Sequence, residues 1–600
     1  MNTPDAIDHE ALRERYRIER DKRLRPNGAD QYLKPSGRFA HLAEDPWVDH
    51  IEREPVTDEV TVALIGGGFS GLCTGAHLQE VGITDVRIVD SAGDVGGVWY
   101  WNRYPGAMCD TAAMVYLPLL EETGHMPSMK YVYGNEIFEH AQRIAKAFNL
   151  YENALFSTEV TSLEWETESS RWVIETNRGD RFRARFVAMG TGPMTRPKLP
   201  GIPGIERFGG HTFHTARWDY EYTGGDRAGA PMENLADKRV GIIGTGATAV
   251  QCIPPLARDA KELFVFQRTP SSIDVRNNHA IDPDEFAALG PAWQQKWLTN
   301  FATLQMGGFA DEDLVKDGWT DIAQRIRDRA ILELAKGDGE LTRELMAKAY
   351  EDCDDEKMEE IRARVDEIVQ DPATAEALKP WYRQLCKRPC FHDEYLQSFN
   401  IATNHLIDTD GQGVERIDET GVWANGEHYE LDCIVFASGF EVHLAHSADY
   451  ETVGRDGLAL SEAWAEGMHS LHGIHVHGFP NMFIEGLSQG ARLVSNITHN
   501  LNEVGKNIAA IASNVLETGA SEVEVSEQAQ EAWMELLDTS SGSLLGSADC
   551  TPGYYNNEGQ EPTASDLRNA AGYPAGPAAY FDYIAGWRSS GGFDGLDFRP

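Results

Sequence analysis

At 600 residues with 42% hydrophobic residues, the chain is long enough to bury several cores and is not a disordered polymer. Its 95 acidic against 53 basic residues leave a net charge of -42, a surface that repels nucleic acid and anionic lipid and argues against both as partners. The N-terminal stretch MNTPDAIDHEALRERYRIERDKRL has no apolar core of the signal-peptide kind, and the eight cysteines show neither C-x-x-C spacing nor histidine clusters, so the expectation is a cytoplasmic, metal-free chain with reduced, mostly buried thiols.

Residues 1–58 read as a polar extension without its own core, with a charged helix over 8–24 and loop signals at Pro26-Asn27-Gly28 and Pro35-Ser36-Gly37. From Val60 an apolar strand, the turn GGGFSG, a helix from Ser70 to Val81 and a strand from Val86 to Val89 form a β-α-β unit. In that context Gly66, Gly68 and Gly71 let backbone amides and a helix N-terminus hold a pyrophosphate. Asp90 closes the second strand, where a carboxylate accepts from ribose hydroxyls; it suits FAD, whose ribose bears no 2'-phosphate.

A second unit opens at Arg239 with GTGATA at 244–249, followed by the strand ELFVFQ. Thr245, Gly246, Thr248 and Gln251 line its turn and first helix. The position that Asp90 holds in the first unit is taken here by Arg268, followed by Thr269. The reversed charge favours a 2'-phosphate, hence NADPH over NADH, against the plainer reading of Arg268 as a surface cation. Residues from about 280 to 383 turn helical and acidic, strand-like runs return at VERI and LDCIVFASGF, and 500–600 mixes helices with a Gly/Pro/Tyr-rich tail.

The fold class expected is therefore α/β, two Rossmann-like dinucleotide-binding domains (FAD and NADPH) with a helical insertion. The boundaries are an extension over 1–58, the FAD domain over 59–195 and 434–600, the NADPH domain over 196–274 and 384–433, and the insertion over 275–383.

Two further patterns carry a family resemblance. Phe208, Gly210, His214, Trp218 and Asp219 follow F-x-G-x-x-x-H-x-x-x-W-D, and Gly96, Gly97, Trp99, Tyr104, Pro105, Gly106 and Asp110 follow a glycine-tryptophan signature within GDVGGVWYWNRYPGAMCD. Together they resemble the type I (class B) flavin-dependent Baeyer-Villiger monooxygenases. The similarity runs from about 60 to 500; the extension, KRPCFHDEYL and CTPGYYNNEG look most like the subgroup acting on large-ring and polycyclic ketones. The resemblance implies FAD, NADPH and O2, with a C4a-peroxyflavin inserting one oxygen beside a ketone carbonyl to give an ester or lactone.

By the same resemblance Arg388 faces the flavin, Asp110 orients it, and Lys387 contacts a cofactor phosphate. Gly97, Val98, Trp99, Tyr100, Trp101, Tyr116 and Ile497 belong to the flavin's surroundings, and 486–497 lines the pocket as a mobile loop. The fingerprint 208–219 is implied to be a linker between the nucleotide domains, with His214 structural or tied to domain motion. Tyr554 stands nearest the place of a tryptophan that members carry, and Met108 and Asp90 replace residues frequently Arg and Glu. A heteroatom-oxidising flavin monooxygenase and a non-catalytic FAD/NADPH redox sensor are the alternatives; Cys109 has no partner at disulfide-reductase spacing. The expected partner is a small-molecule ketone, with no membrane; oligomeric state stays open, a monomer being compatible.

Overall fold

The strand Glu59–Ile65 carries apolar residues on both faces, and Val62, Ala63 and Leu64 are fully buried. That pattern marks a central strand of a mostly parallel sheet covered on both sides. The computed structural model describes residues 7–49, 51–194, 196–336, 342–442, 450–486, 488–491, 496–538 and 550–600. In it the first sheet runs Thr452–Val453, Val160–Glu166, Arg171–Thr176, Arg181–Met189, Glu59–Ile65, Val86–Val89. On the side away from Glu59–Ile65 the long strand Arg181–Met189 serves two neighbours: its start pairs antiparallel with Arg171–Thr176 and its end takes Met482–Ile484 in parallel. Helices Phe69–Glu80 and Ile497–Thr518 press together at Gly505, where a Cβ would lie 2.9 Å from the Thr74 nitrogen.

The second sheet is wholly parallel, in the order Asn404–Asp408, Glu262–Gln267, Arg239–Ile243, Cys433–Phe436, His211–His214. Two expectations change here. The boundary between 433 and 434 falls inside a strand of this second sheet, because an apolar run such as Cys433–Phe436 reads alike for either sheet until its pairing is known. The fingerprint is also more than a linker, since His211–His214 is an edge strand of that sheet.

The insertion, with helices Trp293–Gln305, Gly318–Lys336 and Arg343–Ile368, is clasped at its ends by a parallel pair, Ile273–Asp274 against Cys390–Phe391. Arg276 lies just beyond one of these short strands and Arg388 just before the other. The N-terminal helix His9–Arg23 packs on Arg343–Ile368 through Arg13 and Glu351, 2.5 Å apart. Tyr32–Leu33 then pairs with Leu199–Pro200, and Phe39 and Leu42 enter the cluster that holds Phe208 and Phe436.

The cysteine expectation needs a correction. Cys386 and Cys550 form a disulfide across 164 residues of sequence, while Cys73, Cys109, Cys252, Cys353, Cys390 and Cys433 are free and buried. Local spacing carries no trace of a pair that only the fold brings together. Among the described residues no helix is long and apolar enough to cross a membrane, and no group of three or more His, Cys, Asp or Glu could hold a metal ion.

Candidate active site

At the first glycine turn, Gly66 has φ +118° and a Cβ there would sit 2.3 Å from the Gly190 oxygen; a Cβ on Gly71 would meet the Gly66 oxygen at 2.1 Å. Gly68 caps the helix Phe69–Glu80, and a Cβ on Gly97 would come 2.9 Å from the Gly68 Cα. Two backbones thus approach within a side chain's width, leaving amides free to face a pyrophosphate. Asp90 accepts from the amides of Gly67 at 2.5 Å and Ala92 at 2.8 Å, and burial pushes its carboxyl up despite them. It therefore shapes the turn as well as ending the strand.

The aromatic run opens the short helix Val98–Trp101 and divides by partner. Trp99 Nε1 donates to the Tyr116 hydroxyl at 2.8 Å. Tyr100 is buried and donates its hydroxyl to Asp45 of the extension at 2.5 Å. Trp101 packs on Trp47, and the Arg217 guanidinium lies 3.9 Å from its ring centre. Ile497 begins its helix next to Tyr116, to which Thr498 donates a hydrogen bond at the backbone oxygen.

At the second turn Gly244 has φ +114° and backs onto Ala437, whereas a Cβ on Gly246 would meet nothing within 4 Å. The cradle in front of Gly246 is open. Thr245 donates to the Thr269 oxygen at 2.7 Å, and Thr248 lies within hydrogen-bonding reach of Tyr104. Gln251 Nε2 donates to the Met108 oxygen at 3.0 Å while its Oε1 accepts from Met108 N and the Tyr104 hydroxyl. Its amide staples the second domain to the signature loop of the first. Residue type and helix position could not reveal a partner supplied by another domain.

Arg268 donates through Nη1 to Gln31 Oε1 at 2.6 Å, and Thr269 accepts from Arg23 Nε at 3.1 Å, so the extension reaches the expected phosphate position. Lys387 joins them. Burial, then the charge of Arg268, pulls its ammonium down to about 8, with Glu558 opposing.

Asp110 is almost wholly buried, and it meets two arginines. Its closest partner is Arg276, equally buried and bonded to Asp110 Oδ1; Arg388 Nη2 is 3.9 Å from Oδ2. Asp110 thus pairs with Arg276 as well as with Arg388, and Arg276 is the residue that sequence reasoning missed. Its one signal was an arginine close behind FQRTP. The Arg388 side chain remains one-third exposed. Burial lowers its pKa, but Asp110, then Tyr555 and Tyr554, outweigh this and leave it above the ordinary value. It is a permanent cation beside a fixed anion.

The insertion adds a wall: Trp319 Nε1 donates to the Asp110 backbone oxygen at 3.1 Å, and its ring centre is 5.8 Å from the Arg388 guanidinium carbon. Cys109 is buried, and burial pushes its thiol up to about 11, which leaves no thiolate for redox chemistry.

The fingerprint residues all find packing or capping partners. Phe208 is fully buried, and a Cβ on Gly210 would lie 2.6 Å from the Asp432 oxygen. His214 accepts from the Ala216 amide through Nδ1 at 3.0 Å, and burial, then Arg217, lowers its imidazole to about 3. Trp218 Nε1 donates to Thr223, and Asp219 accepts from the Tyr222 amide and pairs with His211 at 2.9 Å. Just after the segment, the Tyr220 hydroxyl donates to the Arg103 oxygen in the signature loop of the first domain.

Of 486–497, residues 487 and 492–495 lie outside the described residues. Gln489 is fully buried, and Ser470 and Trp533 donate to it, which fixes this part of the loop on the C-terminal block. A cleft of about 440 Å3 opens between Val115, Leu119, Leu298 and Thr498. Neither Asp110 nor Arg388 lines it, so it is not assigned to the ketone.

The donor set fits two dinucleotides. One turn has a carboxylate at its ribose end and crowded glycines; the other has an open cradle and a cationic end.

Residues 63–299 match the pyridine nucleotide-disulphide oxidoreductase family model. The chain is 50% identical to pentalenolactone D synthase of Streptomyces arenae, covering 99% of this chain and 100% of that protein. It is 48% identical to a Baeyer-Villiger monooxygenase of Streptomyces coelicolor over 98% of this chain and 96% of the relative. Among solved structures, the polycyclic ketone monooxygenase of Thermothelomyces thermophila superposes with a TM-score of 0.88 at 37% identity, covering 98% of each chain.

Proposed function

The chain belongs to the Baeyer-Villiger monooxygenase family, and from that premise we propose which residues carry its reaction and which ketones it takes. It is an FAD- and NADPH-dependent enzyme that inserts one oxygen atom of O2 beside a ketone carbonyl: ketone, O2, NADPH and a proton give ester or lactone, NADP+ and water. When bound, the two cofactors supply a hydride and an activated oxygen. Gly66, Gly68, Gly71, Gly97 and Asp90 hold FAD, and Gly246, Thr245, Arg268, Thr269 and Lys387 hold NADPH.

Arg388 is the catalytic cation. A partly exposed guanidinium can meet substrate while Asp110 fixes its position, and it stabilises the negative charge that develops on oxygen as the carbonyl is attacked. Arg276 closes the other side of Asp110, so the carboxylate is held still without drawing Arg388 into a tight pair. Trp319 and the aromatic loop keep water from the reacting atoms. The single observation that carries this reading is the buried carboxylate shared by one buried and one accessible arginine.

The substrate class is a cyclic ketone of more than one ring, supported by the likeness to the polycyclic ketone monooxygenase along nearly the whole chain. The test is to supply the yellow protein with NADPH and a panel of polycyclic, large-ring, monocyclic and linear ketones and to identify products. One NADPH per oxygen-inserted product, with polycyclic ketones preferred, is expected. Peroxide alone with efficient sulfide oxidation would overturn the role given to Arg388.

A further inference from the structure

The chain between the end of the N-terminal helix His9–Arg23 and the short strand Tyr32–Leu33 closes on one residue of the second domain, Arg268. Arg23 is buried and donates through Nε to the Arg268 backbone oxygen and to Thr269 Oγ1, both at 3.1 Å. Gln31 Oε1 accepts from Arg268 Nη1 at 2.6 Å, and the Tyr32 hydroxyl accepts from Nη2 at 3.4 Å. The extension thus grips both the backbone and the guanidinium of the residue expected to meet a 2'-phosphate.

The groups that meet the guanidinium are neutral. A carboxamide oxygen fixes the plane of a guanidinium without neutralising it, whereas a carboxylate in the same place would do both. The carboxylate that faces Arg268, that of Glu558, stands 3.6 Å from Nη2, and its Oε2 accepts no hydrogen bond among the described residues. The Arg268 side chain remains 28% exposed. An uncharged group therefore supplies the orientation while the positive charge stays available on an open face.

Gln31 is itself held in place. Its Nε2 donates to the Gly28 oxygen at 2.7 Å, which turns the amide so that its oxygen faces the arginine. Gly28 has φ +46°, a Cβ there would lie 2.9 Å from Gln560 Cγ, and Gln560 Nε2 donates to the Arg25 oxygen at 3.1 Å. On the other side Tyr32–Leu33 pairs with Leu199–Pro200. An acceptor anchored in this way orders a long cationic side chain before any ligand arrives, so that binding no longer has to freeze it.

We propose that the N-terminal extension is a working part of the NADPH site: Gln31 is a positioning residue that holds Arg268 aligned for the 2'-phosphate, and through it the extension sets the preference for NADPH over NADH. The inference rests on the reading of Arg268 as the 2'-phosphate contact. NADH carries a hydroxyl at that position and gains little from an aligned guanidinium, so its binding is insensitive to Gln31.

The test is equilibrium titration of the FAD-loaded enzyme with NADP+ and with NAD+, read by the flavin absorbance difference. Gln31→Met keeps the length of the side chain and removes the acceptor; NADP+ binding should weaken about fivefold, the scale of ordering one long side chain, with NAD+ within about twofold of wild type. Gln31→Glu keeps the shape and sets an anion against Arg268, so NADP+ binding should weaken at least about tenfold, again with NAD+ little changed. NADP+ affinity within about twofold of wild type in either variant, or parallel losses for NADP+ and NAD+, overturns the proposal. Arg268→Ala separates it from the reading beneath. NADP+ weakened and NAD+ spared upholds the phosphate contact, and adding Gln31→Met to that variant should then weaken NADP+ no further. A further loss in the double variant means that Gln31 acts other than through Arg268 and overturns the proposal alone; unchanged NADP+ affinity in Arg268→Ala removes the phosphate contact and the proposal with it.

Discussion

Replacing Arg388 and, separately, Arg276 by alanine distinguishes a charge used on the substrate from one that holds the site together. Arg388 is 3.9 Å from Asp110, a separation worth about 4 kcal/mol at an effective dielectric of about 20. Its side chain is one-third exposed, and solvent screening cuts the net value to the order of 1 kcal/mol. Arg388→Ala should therefore fold and bind FAD with a midpoint of thermal unfolding close to wild type. Loss of one donor to a developing oxyanion costs about 2.7 to 4 kcal/mol, so ketone oxygenation should fall by at least about a hundredfold, with flavin reduction by NADPH falling much less. Arg276→Ala leaves the buried Asp110 without its closest partner, a change of the kind that destabilises by about 3–5 kcal/mol. Flavin-fluorescence melting gives the stability term, and stopped-flow reduction followed by product yield gives the catalytic one. Equal losses of stability in the two variants, or equal losses of reduction and oxygenation in Arg388→Ala, would refute the division of roles.

Three other outcomes follow from the same geometry. Lys387, facing Arg268, Glu558, Arg23 and Cys390, has its ammonium lowered to about 8, so NADP+ binding should weaken as pH rises through that value, and Lys387→Met should flatten the profile; a flat wild-type profile contradicts the phosphate role. Burial raises the Glu485 carboxyl to about 7 while Thr74 opposes, so its favourable share of folding stability is complete at acid pH and is lost as pH climbs towards and through 7. Glu485→Gln should then gain on wild type between pH 5 and pH 8, by up to about 3 kcal/mol in chemical denaturation, and a difference that ignores pH would discard this account. His214→Ala removes a buried neutral ring from an edge strand, so reduction and oxygenation should decline together; selective loss of oxygenation would make His214 a participant in the chemistry.

What the residues disclosed unaided was whatever depends on short-range backbone geometry. Strand, glycine turn and helix at 60–89 and 239–267 are local, and each glycine's need for close approach is written into the chain within a few positions. The charge reversal from Asp90 to Arg268 is legible for the same reason, because a β-α-β unit places its second strand end at a set distance from its turn. Motif resemblance then reached Arg388 and Asp110.

Partners separated by more than a hundred residues had no such local ruler. Arg276 meets Asp110 from just beyond the clasp of Ile273–Asp274 with Cys390–Phe391, which brings the two ends of the insertion together. Gln251 staples two domains, Cys386 finds Cys550, and the edge strand His211–His214 joins one sheet and not the other, each through pairing that hydrophobic pattern leaves undetermined. The sequence alone determined which groups were available for the chemistry. The tertiary structure decided which arginine Asp110 grips and which it leaves accessible, because burial and distance, not residue type, set the strength of an ion pair.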